Sequence, residues 1–221
     1  MSMTLTILFI IMIINIAMFI FLITFAYRLR QTTRLIISEL ETKRDTRVRS
    51  EDELSARAEG LSELADIMND LDCYWHVSGG TALGVARDGD FIPWDWDVGI
   101  AVKTEEFMGK YKLFIEHAKQ KGFIITDVRV TSNDKSKKIL LMKYDQQYEI
   151  LFWTLKNDKR IRDKLVRSNR FFENVEKRLL RDRLYPFPYP LEEYLEEVYG
   201  NWEIPIRSNK KQDYFNSLGL R

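Results

Sequence analysis

The first 27 residues carry no charged side chain, and Leu5 to Tyr27 is apolar except for Thr6, Asn15 and Thr24. A helix of this length reaches about 35 Å, against about 30 Å of hydrocarbon in a bilayer. The run is too long for the apolar part of a signal peptide, and no basic stretch precedes it. A core helix of a soluble domain would need a polar face, and about six turns pass here without one. The pattern predicts a retained transmembrane anchor over residues 1–27, so a membrane is one expected partner. Arg28, Arg30 and Arg34 follow the span at once. By the charge rule, they place the rest of the chain on the cytoplasmic side.

Residues 28–53 read as a charged helical stalk: ten of the fifteen residues from Glu39 to Glu53 are charged, with mixed signs. From Leu54 the pattern changes. Leu54, Leu61, Leu64, Met68 and Leu71 recur at helical spacing, which marks a helix packing on a domain. The domain is expected over 54–205, followed by a polar tail, 206–221. The single cysteine, Cys73, excludes an intrachain disulfide. Stability must therefore come from packing. A formal charge of +1 gives no electrostatic reason to expect nucleic acid.

Within the domain, Tyr74–Val77 reads as a strand, Ser78-Gly79-Gly80 as a turn, and Thr81–Arg87 as helical. Asp95–Val102 alternates as a strand, with Asp95, Asp97, Gly99 and Ala101 on one face. A helix is expected from Thr104 to Lys121. Strands are expected at 123–130, 138–144 and 148–153, with a turn at Asn133-Asp134-Lys135. The basic tract from Lys156 to Arg183, with eleven basic and five acidic residues, reads as a solvated helix. A short helix from Leu191 to Tyr199 follows the prolines at 186, 188 and 190. The order predicts an α+β fold, a mixed sheet with helices on one side.

Two features carry chemistry. Asp95 and Asp97, two apart on a strand, have Cα atoms about 6.5 Å apart on one face and can converge on a hard cation. Magnesium takes one or two carboxylates and fills its shell with substrate phosphate. Before them, a strand ending at Gly79-Gly80 and opening a helix presents backbone N–H groups to an anion. His76 and the tryptophans 94, 96 and 153 read as structural.

The segment Ser78-Gly79-Gly80-Thr81-Ala82-Leu83-Gly84-Val85-Ala86-Arg87, followed by Phe91-Ile92-Pro93-Trp94-Asp95-Trp96-Asp97, resembles the LicD/fukutin family. That family's hallmark is G-T-L-L-G-x-x-R and then F-I-P-W-D-x-D. Tyr148–Phe152 is similar to the family strand carrying a third carboxylate. Tyr189–Glu196 with Tyr199–Trp202 is similar to its carboxyl-terminal segment. The resemblance implies a nucleotidyltransferase-like fold. It also implies transfer of a phospho-alcohol group, of the phosphocholine or polyol-phosphate kind, from a nucleotide-activated donor to a glycan or glycolipid hydroxyl. On that basis Asp95, Asp97 and Glu149 hold magnesium (or manganese) and form the catalytic set. Ser78, Gly79, Gly80, Thr81 and Arg87 form the substrate side, with Gly79-Gly80 against donor phosphate. Arg87 either clamps charge or fixes the loop through an aspartate.

Two departures bear on activity. The family often continues W-D-x-D-x-D, and this chain has Gly99 at the last position; Glu149 stands where Asp is usual. They leave open a second reading, a nucleotide-binding pseudoenzyme on the same fold. A third, a nucleic-acid nucleotidyltransferase, is opposed by the anchor. Eukaryotic relatives of the family carry the domain in the Golgi lumen, which opposes the charge rule.

Overall fold

The computed structural model describes residues 3–44, 47–131 and 137–205. The turn expected at 133–135 and the tail at 206–221 lie outside them. The chain divides into two compact units, Met1–Arg44 and Asp45–Arg221.

The first unit is one helix, α1 (Met3–Arg44), unbroken across the expected anchor and much of the expected stalk. Among the described residues, Met12–Thr32 has a mean hydropathy of 2.0. By length and composition it can cross a bilayer. Its large apolar side chains, Phe19, Phe21 and Leu22 among them, are exposed rather than packed.

The second unit opens with α2 (Glu51–Asp70). Ser50 and Glu53 form a reciprocal cap: Ser50 Oγ accepts from the Glu53 N–H at 3.3 Å, and Glu53 accepts from the Ser50 N–H at 2.9 Å. That cap satisfies two helix-terminal donors at once. Residues 50–53, read above as the end of the stalk, therefore begin the first helix of the domain. Arg49 adds a backbone bond to Pro93 at 2.9 Å.

The sheet that positions the site runs β1 (Trp75–Ser78), β2 (Asp97–Lys103), β5 (Gln146–Lys156), β4 (Lys138–Lys143), β3 (Ile124–Arg129). Strands β2 and β5 are parallel and the other neighbours antiparallel, so the sheet is mixed. Helix α3 (Gly79–Asp88) joins β1 towards β2. The expected helix over 104–121 is two, α4 (Thr104–Phe107) and α5 (Tyr111–Gln120). The break comes at Gly109, and Lys110 then reaches back to the Leu71 and Asp72 carbonyls at 2.7 and 2.6 Å.

One face of the sheet is apolar. Val98, Ile100 and Val102 of β2 and Tyr148, Ile150 and Phe152 of β5 are all buried. Phe152 meets Phe107 edge-on, Phe107 meets Phe114, and the Tyr148 hydroxyl donates to the Arg57 carbonyl of α2 at 3.0 Å. The other face is closed only in part. Near His76 and Trp153 it is covered by Phe172, from a short 3-10 turn (Asn169–Phe172), and at His76 also by Tyr194 of α6 (Leu191–Tyr199). Helical elements thus lie on both faces, not one.

The basic tract is not a helix. It forms β6 (Lys159–Arg162) and β7 (Leu165–Ser168), which extend the sheet from β5, and a separate hairpin of β8 (Val175–Leu180) and β9 (Arg183–Pro188). The reason is local. Asn157-Asp158, Asp163-Lys164 and Arg181-Asp182 are two-residue connections, and Asn157, Asp158, Asp163 and Arg181 all have positive φ. Such turns match strand twist and fold the chain back into hairpins.

Candidate active site

Residues paired across parallel strands point to the same face. Asp97 pairs with Gln147 and Gly99 with Glu149, while on the other side of β2 Ser78 pairs with Gly99. The open part of the second face therefore carries Ser78, Asp97, Gly99, Gln147 and Glu149 together. Glu149 is half-buried; its Oε1 accepts from Gln147 Nε2 at 3.3 Å and lies 3.4 Å from Lys138 Nζ.

Asp95 is elsewhere. Strand β2 begins at Asp97, not at Asp95, because the preceding backbone is claimed by other partners. The Asp95 N–H donates to the Ile92 carbonyl at 3.0 Å, and the Asp95 carbonyl accepts from Arg57 at 2.9 Å. Its carboxylate fills the space that a side chain on Gly80 would need: an added Cβ would sit 2.0 Å from Asp95 Oδ2. Burial pushes the Asp95 carboxyl up, against the opposing pull of Arg57 and Arg49. Gly80 is thus required for the close approach of Asp95. Gly79, at φ +66°, takes a left-handed conformation that glycine adopts without strain.

The remaining predicted residues fall at the start and end of α3. Ser78 precedes the helix without capping it. Its hydroxyl and that of Thr81 are buried with no hydrogen-bond partner among the described residues. Buried hydroxyls are ordinarily bonded, so two orphans beside a helix N-terminus suit an oxygen-rich ligand. Arg87, in the last turn, is engaged by Asp88, with Nη2 to Oδ2 at 2.6 Å and Nε to Oδ1 at 3.0 Å.

Arg57 is the residue the sequence reading missed. It is fully buried, bonded through Nε to Gln146 at 3.1 Å as well as to Asp95. Burial lowers its pKa and the nearby Asp95 and Asp97 carboxylates oppose that. The signal was available: Arg57 interrupts the apolar stripe of Leu54, Leu61, Leu64 and Met68, where a charge needs a partner.

On this face Asp97 and Glu149 are the carboxylates that could hold a magnesium ion, which commonly takes one or two from protein. The third expected carboxylate, Asp95, stands against Gly80 with Arg57 and Arg49 near it, and among the described residues no group of three or more His, Cys, Asp and Glu could hold a metal. Gly99 leaves its place on this face without a carboxylate. A Cβ there would come within 3.2 Å of both Ser78 O and Ser78 Oγ.

The chain belongs to the LicD/FKTN/FKRP family: the model of that family's nucleotidyltransferase domain matches residues 73–188. This makes it a transferase of that family, on a mixed α+β fold. No curated protein matches it. Among solved structures, ANT(2″)-Ia in complex with adenylyl-2″-tobramycin superposes with a TM-score of 0.47 at 12% identity, covering 72% of this chain and 84% of that one. A Thermotoga maritima protein described as a candidate nucleotidyltransferase superposes at 0.40 and 18% identity, covering 62% and 81%.

Proposed function

We propose that the protein is a membrane-anchored phosphotransferase. It moves a phospho-alcohol group from a nucleotide-activated donor to a hydroxyl of a glycan or glycolipid. The observation that carries this reading is the register of β2 and β5, which sets Asp97 and Glu149 on one face beside the orphan hydroxyls of Ser78 and Thr81. In the reaction, the acceptor oxygen bonds to the phosphorus that carries the alcohol. The bond from that phosphorus to the nucleoside monophosphate breaks, and the acceptor proton leaves to a base. Glu149 would take that proton. Ser78, Thr81 and the α3 N-terminus orient donor phosphate. Asp97 with Glu149 would hold magnesium, which supplies neutralisation of phosphate charge. Helix α1 would keep the domain at a membrane surface; protease protection of a carboxyl-terminal tag in sealed vesicles reads which side.

One observation favours a second reading. At Gly99 the face lacks a carboxylate, and Ser78 crowds the position. A protein so built binds the nucleotide without turning it over. The deciding experiment uses the full chain in nanodiscs with a panel of nucleotide-activated phospho-alcohols. Magnesium-dependent thermal stabilisation with release of nucleoside monophosphate supports the transferase. Stabilisation that ignores magnesium, with no monophosphate released, supports the second reading instead.

A further inference from the structure

The polar face does not end at Glu149. Two and four residues on along β5 come Leu151 and Trp153, on the same face, with Trp153 about 13 Å from Glu149 along the strand. There, β6 and β7 bring three arginines to the same side. Arg160 and Arg167 are directly paired across the hairpin, and Arg162 alternates with Arg160. The guanidinium carbons of Arg162 and Arg167 lie 5.4 and 5.8 Å from the Trp153 ring centroid. Trp153 and Arg167 are 4% and 6% exposed.

Two buried donors stand out in this cluster. Arg160 is satisfied by Asn169 at 2.8 Å and neutralised by Glu105. Arg167 spends one nitrogen on the Val166 carbonyl at 2.7 Å. Its Nε, and the indole Nε1 of Trp153, are buried with no acceptor among the described residues. Buried N–H groups without acceptors cost stability. An anion answers that deficit, and a phosphate group, with several acceptor oxygens and affinity for arginine, suits it best.

We propose that Trp153 and Arg167 form a binding site for a phosphate group of a substrate. The site is separate from the Asp97–Glu149 pair and lies on the same sheet face. Its role towards transfer rests on the function proposed above: it positions a substrate by a phosphate that does not react. The donor and the acceptor are the two possible carriers of that phosphate.

The test measures binding, not turnover, so it stands or falls apart from the transferase reading. Inorganic pyrophosphate is titrated into the full chain in detergent micelles, alongside Trp153→Phe, Arg167→Gln and Arg167→Lys. Trp153→Phe removes the N–H and keeps an aromatic ring. The expected result is saturable binding, weakened about tenfold or more in Trp153→Phe and Arg167→Gln and less in Arg167→Lys. A shift of the Trp153 indole N–H resonance should accompany it. Competition by a nucleoside diphosphate assigns the phosphate to the donor; competition only by a sugar phosphate assigns it to the acceptor. Absence of pyrophosphate binding overturns the proposal. So does affinity within twofold of wild type in Trp153→Phe and Arg167→Gln. Loss of binding in a variant counts only if its circular dichroism and Tm match wild type, and Arg167→Lys serves where Arg167→Gln fails to fold.

Discussion

On one face of the central sheet, Val98, Ile100, Tyr148, Ile150 and Phe152 are buried against helices, and the Tyr148 hydroxyl has its acceptor in α2. On the other face, Ser78, His76 and Trp153 each bury a polar atom that has no partner among the described residues. The same strands supply both, one residue apart. The first face gains free energy by excluding water. The second gives some of it up, at Ser78 beside the carboxylates and at His76 and Trp153 further along the face. Unsatisfied groups of this kind in an otherwise ordered sheet belong where a ligand completes them.

The largest effect should come from damaging the first face. Phe152→Ala should cost about 3–5 kcal/mol, since it leaves a cavity between Phe107 and the sheet. Denaturant melts followed by near-ultraviolet circular dichroism would show it. A loss under about 1 kcal/mol would mean the two faces are not energetically distinct.

Asp97→Asn probes the second face. Transfer should fall about a hundredfold or more, by loss of charge at the reacting phosphate. Stability should change by less than about 1 kcal/mol, because Asn keeps the shape. Equal loss of stability and rate would make Asp97 a structural residue.

Reading these faces from the chain succeeded where spacing was enough. The alternation of β2, the glycine turn before α3 and the apolar stripe of α2 each follow a short-range period. Glu149 follows from resemblance alone; that it shares a face with Asp97 depends on a parallel register between strands about fifty residues apart, which no local pattern encodes. Asp95 was misplaced because alternation continues through it, while its backbone is taken by Arg57 and Ile92. The tract from 156 to 183 was misread through its charge. Its Asn-Asp and Asp-Lys turns are the better guide. Membership of the family was legible in the segment from 78 to 97 and agrees with the match over 73–188.

A smaller effect should appear in acid. His76 lies among Tyr74, Phe172 and Tyr194, its Nδ1 3.0 Å from the Val77 carbonyl, and burial lowers its pKa to about 4 from the ordinary 6.5. The unfolded chain binds that proton more readily. Its contribution is therefore present above pH 6.5 and is lost as pH falls towards 4, on the order of 3 kcal/mol. Asp95 runs the other way: its raised pKa makes folding less favourable as pH rises from 3.8 towards 6. The two slopes overlap in the wild type, so the informative quantity is the difference from His76→Phe, which removes only the first. If wild type and His76→Phe share one pH profile between 4 and 6.5, His76 does not resist protonation in the fold.

The smallest expected change in stability is at Gly99, and it bears most directly on the choice between transferase and binding protein. An aspartate there would stand beside Glu149 in the parallel pair and two residues from Asp97 on the same face. Its Cβ would sit 3.2 Å from Ser78 O and Ser78 Oγ and 3.6 Å from Leu151 Cδ1. That is tight, and a shift of a few tenths of an ångström admits it, so Gly99→Asp should cost no more than about 1 kcal/mol in the metal-free protein. Part of that cost is repulsion among three carboxylates, which a divalent cation removes. Magnesium should therefore stabilise Gly99→Asp more than it stabilises wild type, and a chelator should reverse the gain. A rise in transfer rate with tighter magnesium binding would mark the native site as a weakened transferase. Tighter magnesium binding with no transfer in either protein would mark it as a nucleotide-binding site that has lost more than one group. If magnesium affects the two proteins equally, the face does not gather Asp97, Glu149 and position 99 around a common ion, and the two-carboxylate assignment falls with it.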